Sequence, residues 1–141
     1  MHSTMVPLGT PAAIFRLPGV DSKTYSLENF SDKNVLVIIF MCNHCPYVKA
    51  VLQRLIDLQA ETEHQGVQLV GINSNDVERY TEDSMENMQK ITKKKGINFP
   101  YLLDVSQETA KAYDAVCTPD IYVYGTERKL LYRGRIDDNW E

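Results

Sequence analysis

The chain has 141 residues, a net charge of −4 and a pI near 5.4. That length suits one domain with a real core, and 43% hydrophobic against 24% charged residues is a globular composition. The acidic balance argues against a surface devoted to nucleic acid or to an anionic membrane. The longest apolar run, "VLVIIFMC" at 35–42, is strand-sized and far short of a membrane helix. No basic region followed by a long apolar core opens the chain, so no secretory signal is readable. Three cysteines, an odd count, argue against a disulfide framework, and the expectation is a reducing, cytoplasmic compartment.

Residues 1–33 are turn-rich, punctuated by Pro7, Gly9, Pro11, Pro18 and Gly19. "NVLVIIFM" at 34–41 is apolar and β-branched, as expected of a strand buried on both faces. Beyond it Val48, Val51, Leu52, Leu55, Ile56 and Leu58 recur on one helical face until Gly66. Pro46 belongs in the first turn of that helix, where its missing N–H costs nothing, so the helix is expected to begin at about Cys42 or Asn43. "VQLVGI" at 67–72 is a second buried strand, and the crossover makes the two strands parallel.

A second helix follows, with Asp83 and Glu86 spaced as a capping box and Met85, Met88 and Ile91 on its core side. It ends at Lys93-Lys94-Lys95-Gly96, where cations suit the helix dipole and glycine suits a left-handed cap. "FPYLLD" at 99–104 reads as a short strand and "SQETAKAYDA" at 106–115 as a helix capped by Ser106. "DIYVYG" and "RKLLYRGRI" form an antiparallel hairpin around "GTER". The tyrosines, most of them in strands, read as sheet packing.

"FMCNHCPYVK" at 40–49 places Cys42 and Cys45 at a strand-to-helix junction. Such a pair exchanges electrons, holds a metal or merely packs. The junction favours a dithiol, because a helix N-terminus carries partial positive charge that stabilises a thiolate. Cys42 is then the exposed nucleophile, and Cys45, one turn deeper, resolves the mixed disulfide. As an imidazolium, His44 would depress the thiol pKa further and make the disulfide a better oxidant. Lys49 reads as a solvated lysine.

Taken in order, "CNHCPYVK", "GINSND", "FPYLLD", "AYDAVCTPDIYVY" and "YRGRIDD" resemble a thioredoxin-fold redoxin of the alkyl hydroperoxide reductase/thiol-specific antioxidant family. More closely, they resemble its peroxiredoxin-like branch with a C-N-H-C-P active site, whose final proline is Pro46 here. The resemblance runs from about Pro7 and implies a single α/β domain of thioredoxin-like fold. That fold is a central mixed sheet flanked by helices, here with an N-terminal β extension. It also implies a cis Pro119 opposite the cysteine pair, with Thr118 offering backbone groups to an extended substrate. Cys117 would lie nearby, either as a buried thiol or as a trap for Cys42 or Cys45 under oxidation.

Two departures from the family pattern matter. Peroxide-reducing relatives resemble one another in P-x-x-x-T-x-x-C, yet counting back from Cys42 finds Ile39 and Val35, and from Cys45 finds Cys42 and Ile38. Thioredoxins carry a buried acid in the strand before the pair, whereas Val35 to Met41 are all apolar here. The C-terminal helix usual in this fold is also missing by "RIDDNW", so part of the sheet would be exposed. A fragment, a short variant or a homodimer would each account for that.

The function expected is a thiol-disulfide oxidoreductase with a Cys42/Cys45 dithiol and an antioxidant, peroxide-reducing variant of that chemistry. Its partners would be a protein or small-molecule disulfide or peroxide and an external thiol reductant, with no cofactor. The alternative is a Cu(I) or zinc module built on Cys42, His44 and Cys45, with Cys117 as a fourth ligand.

Overall fold

A computed structural model of the chain describes residues 7–43, 46–74, 84–115 and 120–135, with only the backbone of 46–50 and 135. The main sheet has five strands in the order β5-β4-β3-β6-β7, and a two-stranded β1-β2 unit stands beside it. The strands are β1 Arg16–Pro18, β2 Thr24–Ser26, β3 Val35–Phe40, β4 Val67–Asn73, β5 Tyr101–Leu103, β6 Asp120–Tyr124 and β7 Leu130–Arg135. The helices are α1 Pro46–Thr62, α2 Met85–Lys95 and α3 Glu108–Tyr113. No helix among the described residues is long and apolar enough to cross a membrane.

The expected mixed sheet is present. β3 lies parallel to β4 and antiparallel to β6, and β4 lies parallel to β5. β6 and β7 form the expected hairpin, closed where Arg128 N–H donates to the Gly125 carbonyl. Strand periodicity divides the core in two. Leu36, Ile38 and Phe40 enter one cluster with Tyr113, Tyr122 and Tyr124. Val37, Ile39 and Met41 enter the other with Val51, Leu52 and Leu55 of α1 and Met88 of α2. A central strand buried on both faces must be apolar at every position, and β3 is.

On the second face, β6 and β7 are less covered. Ile121 and Val123 are half-buried and Tyr132 is exposed. The N-terminal segment spans both ends of the sheet: Gly19 bridges to Leu102 and Pro11 to Lys129. That is the expected β extension.

Three local expectations are corrected. The N-cap of α2 is Ser84, whose side chain accepts from Asn87 N–H, rather than Asp83. α3 starts after Gln107, which has a positive φ. Its first turn is held by the Asp104 carboxylate, which accepts from Ala110 N–H, and by Ser106 Oγ, which accepts from Glu108 N–H at the longer distance of 3.3 Å. At the other end of α2 the left-handed Gly96 cap is as expected, with φ +72°.

On α1, Leu58 is exposed whereas the next residue, Gln59, is buried. The reason lies in the sheet. β5 pairs with β4 only from Gly71 onward, so the outer edge of β4 at 67–69 has no neighbouring strand. Gln59 takes the place of one: its Nε2 donates to the Val67 carbonyl at 3.0 Å and its Oε1 accepts from Leu69 N–H at 2.7 Å. Gln59→Leu keeps the bulk and strands both backbone groups, so it should cost about 1–3 kcal/mol of stability. Leu58→Gln should stay within about 0.5 kcal/mol. Urea midpoints of the two variants check this, and equal losses would mean that Gln59 is not a strand surrogate.

Candidate functional site

The loop after β3 carries the cysteine motif. The ladder to β4 continues one residue past the strand, with Met41 N–H donating to the Ile72 carbonyl. This keeps the chain extended as far as Met41. Gly71, opposite Ile39 in that ladder, leaves room for the Met41 side chain: a Cβ there would meet Met41 Sδ at 2.8 Å, so the thioether would have to shift.

The helix start differs from expectation. α1 is described from Pro46, and Cys42 and Asn43 are not helical, so Cys42 does not stand in the first turn of the helix. The ladder to β4, which holds Met41 extended, keeps the residue that follows it out of the helix. The expected exposure of Cys42 is corrected as well. Its side chain is 1% exposed, because it follows directly on a doubly buried strand. His44, Cys45, Cys117, Thr118 and Pro119 lie outside the described residues, as does the side chain of Lys49.

Sequence reasoning did not find the anchor of this loop. Asn43, the first residue between the two cysteines, is buried, and its Oδ1 accepts from the Tyr101 hydroxyl at 2.8 Å. The same hydroxyl accepts from Asn73 Nδ2 at 3.3 Å. The ends of β4 and β5 thus hold the motif through a chain of buried side-chain hydrogen bonds.

A second polar group lies along the neighbouring strand. Asp120, which follows Pro119 in sequence and stands opposite Phe40 in the sheet, is 0% exposed and meets Arg133, 6% exposed. Arg133 donates from Nη2 to Asp120 Oδ2 at 2.9 Å, and Nε points at Oδ1 from 3.3 Å. Hydrogen bonding to Asp120 raises the Arg133 pKa further, against a desolvation that lowers it. The guanidinium also stacks 4.9 Å from the Tyr122 ring centroid and donates to the Asp114 carbonyl at 2.8 Å. The strand before the cysteines has no buried acid, as read, but the antiparallel neighbour supplies one.

Residues 8–133 match the AhpC/TSA family. The chain belongs to that family. Its fold is very close to that of an uncharacterised conserved protein of Geobacillus kaustophilus, with a TM-score of 0.92 at 48% identity over 97% of this chain and 73% of that one. The thioredoxin domain of a thiol-disulfide oxidoreductase of Bacteroides vulgatus superposes with a TM-score of 0.80 at 15% identity, covering 96% of this chain and 94% of that one. The fold is therefore thioredoxin-like. The thiol-disulfide oxidoreductase ResA of Bacillus subtilis (strain 168) is 24% identical over 123 residues, which is 87% of this chain and 64% of that protein. The chain thus spans just under two-thirds of that relative's length.

Two outcomes follow from this geometry. Tyr101→Phe removes the hydroxyl that holds Asn43 and should lower stability by about 1 kcal/mol. It should also speed alkylation of Cys42, read by mass spectrometry; an unchanged rate would show that the anchor does not govern access. The second concerns pH. Burial raises the pKa of Tyr113, Tyr122 and Tyr124 well above the ordinary 10.0, with the Asp120 charge adding to it at Tyr122 and Tyr124. The folded chain keeps these protons when the unfolded chain loses them. Stability is therefore fully present below pH 10.0 and falls as pH rises beyond it, by up to about 1.4 kcal/mol per pH unit for each tyrosine. Urea midpoints across the alkaline range test this, and Tyr113→Phe should make the fall shallower.

Proposed function

We infer that this chain is a thiol-disulfide oxidoreductase and that Cys42 and Cys45 are its redox pair. The observation that carries the reading is the placement of C-x-x-C between the end of the central strand β3 and the start of α1, in a member of this family. In the forward step one thiolate attacks a substrate disulfide, and the first substrate thiol leaves. The second cysteine then attacks the mixed disulfide and releases the other substrate thiol. Two electrons and two protons pass to the substrate, the protein is left with a Cys42–Cys45 disulfide, and an external thiol reductant restores the dithiol.

The order of attack depends on access. Cys42 is buried, which hinders attack on a bulky disulfide, whereas Cys45 directly precedes Pro46, from which α1 is described. Single serine variants separate the two, since only the variant that keeps the attacking thiol accumulates a mixed disulfide. Supporting roles for His44, Pro46, Cys117, Thr118 and Pro119 belong to the same proposal. Peroxide reduction is the weaker reading, because Ile39, which stands at the threonine offset from Cys42, is wholly buried in apolar surroundings and carries no hydroxyl to position peroxide.

The test is mass spectrometry of thiol labelling on metal-free protein equilibrated across glutathione redox buffers, repeated with dilute peroxide. A reversible Cys42–Cys45 disulfide with one defined potential is expected. Rapid sulfenylation at low peroxide would instead support the antioxidant reading. Thiols that resist oxidation, together with stoichiometric retention of added Zn(II) or Cu(I), would replace the redox reading with the metal module.

A further inference from the structure

A cleft of about 510 Å³ opens between α1 and α2 and reaches the cysteine loop, with Asn43 at its wall. That volume is in the range of small-molecule sites, about 300–1,000 Å³. Its floor is apolar, formed by Leu52 and Ile56 of α1 and Ile91 of α2. Gln53 and Asn87 add amides, and one edge is cationic: Lys90, Lys94 and Lys95, from the last turns of α2.

The charges are unbalanced. Lys90 stands 3.9 Å from Glu86, a solvent-exposed pair of little strength. Asp57 accepts from Gln53 Nε2. No carboxylate of the described residues lies within ion-pair distance of Lys94 or Lys95. In a protein of net charge −4, a local cationic edge beside an apolar floor selects its occupant by charge.

We propose that this cleft is the recognition site for a small anionic disulfide, one whose carboxylates meet Lys90, Lys94 and Lys95 while its less polar body lies on Leu52, Ile56 and Ile91. The proposal rests on the dithiol reading for its chemistry: Asn43, which lines the cleft, is the residue directly after Cys42 in the C-x-x-C motif. Reduction consumes the dithiol, yields two anionic thiols and leaves the protein disulfide. Run in reverse, the same site takes an anionic thiol as the reductant that regenerates the pair.

The experiment compares two disulfides against the pre-reduced protein at low salt: oxidised glutathione, which is anionic, and hydroxyethyl disulfide, which is uncharged. In the combined variant Lys90→Gln/Lys94→Gln/Lys95→Gln the anionic-to-neutral rate ratio should fall roughly tenfold. Lys93→Gln, a lysine of the same turn that does not line the cleft, should keep it. Added salt should lower the ratio in the wild type and leave little to lower in the triple variant. A ratio unchanged by the three substitutions would overturn the proposal.

Calorimetric titration with S-hexylglutathione, which has no reducible bond, reads the cleft without the dithiol. Saturable binding that the triple variant weakens about tenfold supports it. Binding of S-hexylglutathione without reduction of either disulfide would reject the dithiol reading and keep the cleft. Reduction of hydroxyethyl disulfide without S-hexylglutathione binding would do the opposite.

Discussion

Everything near the site depends on the confinement of β3. The strand is hydrogen-bonded on both edges, to β4 and β6, and buried on both faces. A strand so placed cannot shift its register without moving two cores at once. Its last residues therefore present the cysteine loop from a fixed point. Met41, still on the ladder to β4, is the last residue the sheet holds before the C-x-x-C motif, and α1 is described from Pro46, directly after that motif.

Confinement of this kind has a consequence for the chemistry. A thiol at the exit of a doubly buried strand is shielded, and Cys42 is. Burial of this sulfur makes access the first condition on any attack it makes.

Much of this was legible in the sequence. The burial of β3 on both faces, the parallel β4, the β6-β7 hairpin and the Gly96 cap all follow from short-range patterns that local physics dictates. What was not legible depended on distance. Gln59 stands four residues after Leu55, on the core face, yet by residue type it reads as a surface side chain, and the short reach of β5 is what gives it a partner on β4. Asn43, Asn73 and Tyr101 are joined through one hydroxyl across separations of 28 and 58 residues. Asp120 and Arg133 meet diagonally because the hairpin register sets Arg133 opposite Tyr122, and nothing in either residue alone announces burial.

The buried polar groups share one logic. Leaving a hydrogen-bonding group unpaired in a core costs more than a hydrogen bond gains, so polar side chains persist there where they fix geometry that apolar contacts leave loose. Asn43 does this for the cysteine loop from the β4-β5 side. Asp120 and Arg133 do it from the β6-β7 side, holding the start of β6 immediately after Pro119. An ion pair so deep adds little net stability over an apolar pair of similar size, but removing either partner alone strands a charge. Its value is therefore positional: it fixes β6 against β7 beside the chain end from which residues 117–119 depart, while Asn43 fixes the loop that carries the cysteines. Two independent polar anchors, one on each side of β3, thus flank the strand that leads into the cysteine motif.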